Sequence, residues 1–212
     1  MKTYSISIPG DGAPATREFA LASKTHPIYC VATGKEAELF CDEVVHAGDA
    51  EFATFNEKHS AKLDIFRSAN SALGQIVTAA PAMPNTGISA GFMVLADKVC
   101  SFTTIGAVDF YHYNAQGEKA FQAAHPFGYQ LANGAEESEK YLISDKCELV
   151  GRDMVFLATD GFKPYFELPE FTKLFLDWPE NLDVLLKAFM KIKSAEDSSR
   201  FGRPRTLVAV KL

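Results

Sequence analysis

LVGRDMVFLATDGF, residues 149–162, is the stretch from which the rest of the chain can be read. Gly151-Arg152-Asp153 has the chemistry of a tight turn. Residues 154–158, MVFLA, form an apolar run of strand length. Asp160-Gly161 follows where the backbone must turn, so a carboxylate stands at the carboxyl end of a buried strand beside a permissive glycine. Hard cations take carboxylate oxygens held on a rigid scaffold, which makes Asp160 a candidate metal ligand. The plainer reading is a solvated Asp-Gly turn after an ordinary strand.

Upstream of this stretch the alternation of TYSISI predicts a strand over 3–8, ended by Pro9-Gly10-Asp11-Gly12. Further strands are expected over 17–22 and 27–32, the second of them nearly all apolar and therefore central. After Thr33-Gly34 the period changes. Ala37, Phe40, Cys41, Val44 and Val45 fall at helical spacing, predicting a helix over 35–46. A longer helix over 60–78 has Ser60 as its N-cap, and Pro81 and Pro84 close it. Strands at 88–96, 99–105 and 108–113 come next, the first two joined by a hairpin-length Asp97-Lys98 connector, and a short one lies near 118–123. Residues 124–140 read as a long polar surface loop. Strands at 141–143 and 146–150, helices at 168–176 and 181–193, and a last strand at 206–211 complete the order. Strands clustered in runs with helices in groups point to an α+β fold of antiparallel sheets. Two such sheets face to face, each covered by a helix pair, bury all four helical stripes in a four-layer α/β/β/α sandwich. The 212 residues, 47% hydrophobic, suffice for one domain spanning 1–212.

Composition narrows the function classes. The four cysteines, Cys30, Cys41, Cys100 and Cys147, form no C-x-x-C pair, so a reduced, cytoplasmic setting is expected. Cys30 and Cys41 read as small core residues, and no base is placed near Cys30 to make it a nucleophile. A net charge of -6 argues against nucleic acid or an anionic membrane as partner, and no run reaches membrane-spanning length. Arg200, Arg203 and Arg205 cluster near the C-terminus and are read as solvated. The five histidines lack zinc spacing. His112, between Tyr111 and Tyr113 on the opposite face of its strand, is read as structural or surface rather than catalytic. Phe162, Tyr165, Phe166, Phe171 and Trp178 are expected in the core, or as an interface patch if they remain exposed.

The element order and several motif positions over about residues 17–212 resemble the metal-dependent protein phosphatases of the 2C type, the PPM family. GRDMVFLATDG is similar to that family's Gly-Asp turn, hydrophobic strand and Ser/Thr-Asp-Gly. GISAGFMVLADKVCSFTTIGAVDFYHYNAQG is similar to its hairpin leading into a Val-Gly-Asp-Ser-Arg-x-Tyr strand, with Gly106 and Tyr111 in place. IYCVATGKEAE stands where the family has a strand ending in Asp-Gly, and RPRTLVAVKL where it has an acidic pair, a Thr and a terminal strand.

The resemblance implies a phosphoserine/phosphothreonine phosphatase in which Mn²⁺ or Mg²⁺ ions, held by converging carboxylates, activate water for attack on phosphorus. The ligand positions mostly depart from the pattern. Thr33 replaces the first Asp and only Gly34 is kept. Ala107 follows Gly106, and Asp109 stands in place of Arg. Arg203-Pro204 replaces the final acidic pair, and the early acidic pair falls near Lys24-Thr25-His26 with no upstream arginine. Asp160 matches, so Asp160 and Gly34 are the candidate metal residues if a metal binds at all. One carboxylate cannot organise two metals, and a fixed cation at 203 repels them. The expectation is therefore a pseudophosphatase, without cofactor, serving as a binding or regulatory module for a protein partner or phosphoprotein. The alternative is a divergent active phosphatase using Mn²⁺ or Mg²⁺, in which Asp109, Asp153 or Asp197 joins Asp160.

Overall fold

The computed structural model describes residues 1–13, 15–34, 37–58, 88–96, 98–124 and 142–212. The elements in chain order are β1 (Lys2–Ile8), β2 (Glu18–Ala22), β3 (Ile28–Thr33), α1 (Ala37–Lys58), β4 (Ser89–Ala96), β5 (Val99–Ile105), β6 (Val108–Tyr113), β7 (Lys119–Ala123), β8 (Ile143–Glu148) and β9 (Met154–Thr159). A 3-10 turn, Asp160–Phe162, leads into α2 (Lys163–Phe166), α3 (Pro169–Asp177), α4 (Leu182–Glu196), α5 (Ser198–Phe201) and β10 (Arg205–Lys211). One five-stranded sheet has the order β1-β10-β9-β6-β7 and the other β2-β3-β4-β5-β8, with every pairing antiparallel. This is the α+β sandwich expected from the sequence.

Strand alternation sorts the side chains into three layers. On β9, Met154, Phe156 and Ala158 face the helices, while Val155 and Leu157 face the other sheet. On β3, Ile28, Cys30 and Ala32 face α1 and Tyr29 and Val31 face the inter-sheet layer. Both strands are thus apolar on both faces, which is why they read as continuous runs. Tyr111, Phe156, Phe162, Tyr165, Phe171 and Phe175 build the layer under α3 and α4, and Tyr165 and Phe171 lie 5.7 Å apart centre to centre. Each such ring contributes about 1.5–3 kcal/mol relative to an exposed position. Phe162, Tyr165 and Phe171 are wholly buried and Phe166 and Trp178 pack partly buried against them, so these aromatics are core rather than an interface patch.

Two glycines set how closely the layers meet. A Cβ on Gly91 would lie 2.6 Å from Val108 Cγ1 and 2.9 Å from Leu157 Cδ2, so this position lets the two sheets approach. A Cβ on Gly161 would lie 2.0 Å from Pro204 O. Gly161 is therefore required by the chain passing over it into β10.

The structure departs from the sequence reading in several elements. Helix α1 runs on to Lys58 through Gly48, where a Cβ would sit 3.3 Å from both Ile28 Cδ1 and Phe92 Cζ. The predicted strands at 141–143 and 146–150 are one strand, β8, since Leu149 pairs beyond it with Lys98 O and Val150 is exposed in the turn. The short helices α2 and α5 were too brief to leave a periodic signal. The helix expected over 60–78 and nearly all of the 124–140 loop lie outside the described residues. Among the described residues no helix is long and apolar enough to cross a membrane.

Candidate functional site

At one end of the sandwich β2 and β4 begin, β3 and β9 end and β10 enters. Glu18, Thr33 and Ser89 stand side by side there, because Glu18 pairs with Thr33 and Thr33 with Ser89 across three neighbouring strands. All three lie on the inward face with Val31. Thr159 and Thr206 come from the facing sheet, where they share the inward side with Leu157 and Val208. The end of the inter-sheet layer is thus polar where the rest is apolar.

Glu18 is the residue that sequence reasoning missed. It is only 8% exposed, and its Oε2 accepts a 2.8 Å hydrogen bond from the Thr159 hydroxyl. Thr159 Oγ1 in turn accepts from the Thr206 backbone N–H at 2.9 Å, so the carboxylate is tied through Thr159 to the start of β10. Burial pushes the Glu18 carboxyl up from 4.5 to about 6. Hydrogen bonds from Thr159 and Thr206 oppose this, the Asp160 charge adds to it and Arg203 opposes it. The Ser89 hydroxyl is buried beside this group and finds no partner among the described residues.

Asp160 lies where the sequence predicted, at the end of β9, its backbone N–H donating to Ala107 O at 2.9 Å. Its Oδ2 accepts from Arg203 at 2.8 Å, with the two side chains 30% and 56% exposed. Gly34 ends β3 with φ 141°, in the region that favours glycine, and its N–H donates to Arg17 O at 3.0 Å. The early acidic pair does not lie at Lys24-Thr25-His26. That segment forms the far turn of the β2–β3 hairpin, where His26 pairs with Asp49 at 2.9 Å. The acid at the site comes from Glu18, with Arg17 exposed before it.

None of the three acids considered as helpers converges on Asp160. Asp109 lies on the helix side of β6, wholly buried, accepting from Tyr111 Oη at 3.1 Å and pairing with Lys163 at 3.2 Å. Asp153 sits at the opposite end of the sandwich with His112. Asp197 caps α5. Of the three arginines, Arg200 and Arg203 are solvent-exposed as expected, each in a surface ion pair, and only Arg205 is enclosed. Arg200 pairs with Glu167, Arg203 with Asp160, and Arg205 is 3% exposed, donating to Phe201 O and Arg203 O with its guanidinium over the Tyr165 ring.

Among the described residues the donor set does not suit a pair of divalent cations. Asp160 is paired with a guanidinium, Glu18 is engaged by a hydroxyl and binds its proton more tightly than an ordinary carboxylate, and Thr33 adds no charge. Among the described residues no group of three or more His, Cys, Asp or Glu side chains is placed to hold a metal. What the end does present is a buried acid near a partly exposed Asp160–Arg203 ion pair.

No protein-family model matches the chain, and no curated protein matches it. Solved structures do. PppA, a key regulatory component of T6SS in Pseudomonas aeruginosa, is 14% identical with a TM-score of 0.70 over 100% of this chain and 97% of that one. The Mycobacterium tuberculosis serine/threonine phosphatase PstP/Ppp is 16% identical with a TM-score of 0.64 over 100% and 98%. RsbX, solved in complex with magnesium, is 14% identical with a TM-score of 0.58 over 99% and 94%. The chain has the fold of the PP2C/PPM Ser/Thr phosphatases.

Proposed function

We propose that the chain is a pseudophosphatase, a PP2C-like domain that binds a protein partner or phosphoprotein and takes no part in phosphate ester hydrolysis. The observation that carries this is the 2.8 Å Arg203–Asp160 ion pair, which puts a cation at the one carboxylate that matches the metal-ligand pattern. A guanidinium there repels divalent cations and occupies the oxygen they would take. No cofactor is expected. A cytoplasmic setting accompanies the proposal, since the four cysteines form no C-x-x-C pair. PppA, described as a regulatory component, offers a precedent for a regulatory role on this fold.

A second reading, an active phosphatase using Mn²⁺ or Mg²⁺, draws support from Glu18, whose carboxylate is close enough to Asp160 and Arg203 to feel both charges. Calorimetric titration of the chain with Mn²⁺, beside turnover of para-nitrophenyl phosphate, separates the two. The proposal expects neither binding nor turnover. Binding with turnover, both abolished by Asp160→Ala, would establish the second reading instead.

A further inference from the structure

The other end of the inter-sheet layer holds a second polar cluster, remote from Glu18 and Asp160. The β5–β8 pairing sets Cys100 directly opposite Cys147. Directly opposed residues of an antiparallel pair have Cα atoms about 4.5–5.5 Å apart, within the range of about 4.4–6.8 Å that a disulfide spans. Cys100 is wholly enclosed, whereas Cys147 lies on the edge strand and is partly exposed. From the facing sheet β6 presents His112 on its inward side. His112 Nε2 is 2.9 Å from Asp153 Oδ2, and that oxygen also accepts the Val150 backbone N–H at 2.9 Å, fixing the carboxylate. The same imidazole lies near enough to the Cys147 sulfur for each group to shift the other's proton affinity. An acid thus orients a base on the same inter-sheet layer as a partly exposed thiol, with a second thiol directly opposite it.

We propose that Cys147 is a nucleophilic thiolate that reacts with hydroperoxides and that Cys100 is its resolving thiol. The electrostatics agree with this division. Burial holds the Cys100 thiol well above its ordinary value, keeping its proton. The neighbouring Cys100 thiol and then His112, whose positive charge favours the thiolate, both lower the Cys147 thiol. Against burial and the neighbouring Asp145 these hold it down to about 6. His112 is raised in turn, chiefly by the neighbouring Cys147 and then by its hydrogen bond to Asp153.

The chemistry balances with a hydroperoxide as oxidant. The Cys147 sulfur attacks one peroxide oxygen, an S–O bond forms and the O–O bond breaks. With hydrogen peroxide, the departing hydroxide takes a proton from the His112 imidazolium and leaves as water. The sulfur is oxidised by two electrons to a sulfenic acid. The Cys100 sulfur then displaces the hydroxyl group, the thiol proton leaves with it as a second water, and the Cys100–Cys147 disulfide forms. In sum, two thiols and one hydrogen peroxide give one disulfide and two waters.

The test is the pH profile of Cys147 alkylation by iodoacetamide in the full chain, followed by peptide mass spectrometry. A midpoint near 6 is expected in place of the ordinary thiol value of about 8.5. At pH 5.5 the rate should exceed that of free cysteine about tenfold, after allowing for the lower intrinsic nucleophilicity of a more acidic thiol. His112→Gln should move the midpoint up by about one pH unit or more with an unchanged circular dichroism spectrum. Hydrogen peroxide should link the Cys100 and Cys147 peptides, and Cys100→Ser should leave a dimedone-reactive sulfenic acid on Cys147. An ordinary midpoint in the folded wild-type chain overturns the proposal even if the variants fail to fold. So does peroxide treatment that produces no Cys100–Cys147 link.

Discussion

Glu18→Gln tests whether the polar end of the sandwich holds a carboxylate against its own preference. The carboxyl is 8% exposed and raised from 4.5 to about 6, chiefly by burial. A difference of about 1.5 in pKa between folded and unfolded chains corresponds to about 2 kcal/mol. The folded state binds the proton more tightly, so between pH 4.5 and 6 folding takes up a proton. The stabilising contribution is complete below pH 4.5 and is lost as pH rises through about 6. Glutamine keeps an oxygen to accept from Thr159 and removes the charge. The variant should match wild type at pH 4 and be more stable by about 2 kcal/mol at pH 7.5, a rise of about 5 °C in Tm for 212 residues. Urea unfolding of both proteins at pH 4 and pH 7.5 measures this. Comparing the two proteins cancels the titration of His112, which changes in the same range. A stability difference that does not vary with pH, or a variant less stable at pH 7.5, would refute a desolvated carboxylate at this position.

Three further substitutions probe the same architecture. Arg203→Asp removes an exposed ion pair, so stability should change by less than about 1 kcal/mol. The same change places a third acid beside Asp160 and Glu18, and should give Mn²⁺ binding measurably tighter by calorimetry than that of wild type. Gly161→Ala drives a methyl group into the Pro204 carbonyl and should cost about 2–3 kcal/mol in denaturant unfolding, because backbone must move. Gly91→Ala wedges the sheets apart at Val108 and Leu157. It should cost about 1–3 kcal/mol, and an unchanged midpoint would show that the sheets can relax there.

The strands β3 and β9 were legible because both faces are apolar, and α3 and α4 because their buried stripes repeat at helical period. Asp160 was legible because a strand followed by Asp-Gly is a local pattern. Glu18 was not. In a two-layer protein the Phe19 and Leu21 face of β2 would be the core and the Glu18, Ala20 and Ala22 face would meet water. Here Phe19 and Leu21 pack against the α1 side of the sheet while Ala20 and Ala22 meet the second sheet, so the acid points inward. The local rule for a half-buried strand fails where a sheet has cores on both sides.

The arginines near the C-terminus make the same point. Their sequence suggests a solvated loop, yet Arg205 opens β10 on the helix side with Leu207 and Ala209, and its guanidinium is enclosed by Tyr165 and the Phe201 carbonyl. Cys100 and Cys147 show no motif spacing, and only the register of β5 on β8 sets them opposite each other. By itself the sequence determined most strands and the longer helices, their two periods, and the identities Thr33, Ala107 and Arg203 around Asp160, since these depend on residue type and near neighbours. Tertiary structure decided which acid faces inward, which cation meets Asp160 and which thiols meet a histidine. Those are contacts between residues far apart in the chain, and they exist only once strand register and layer packing are set.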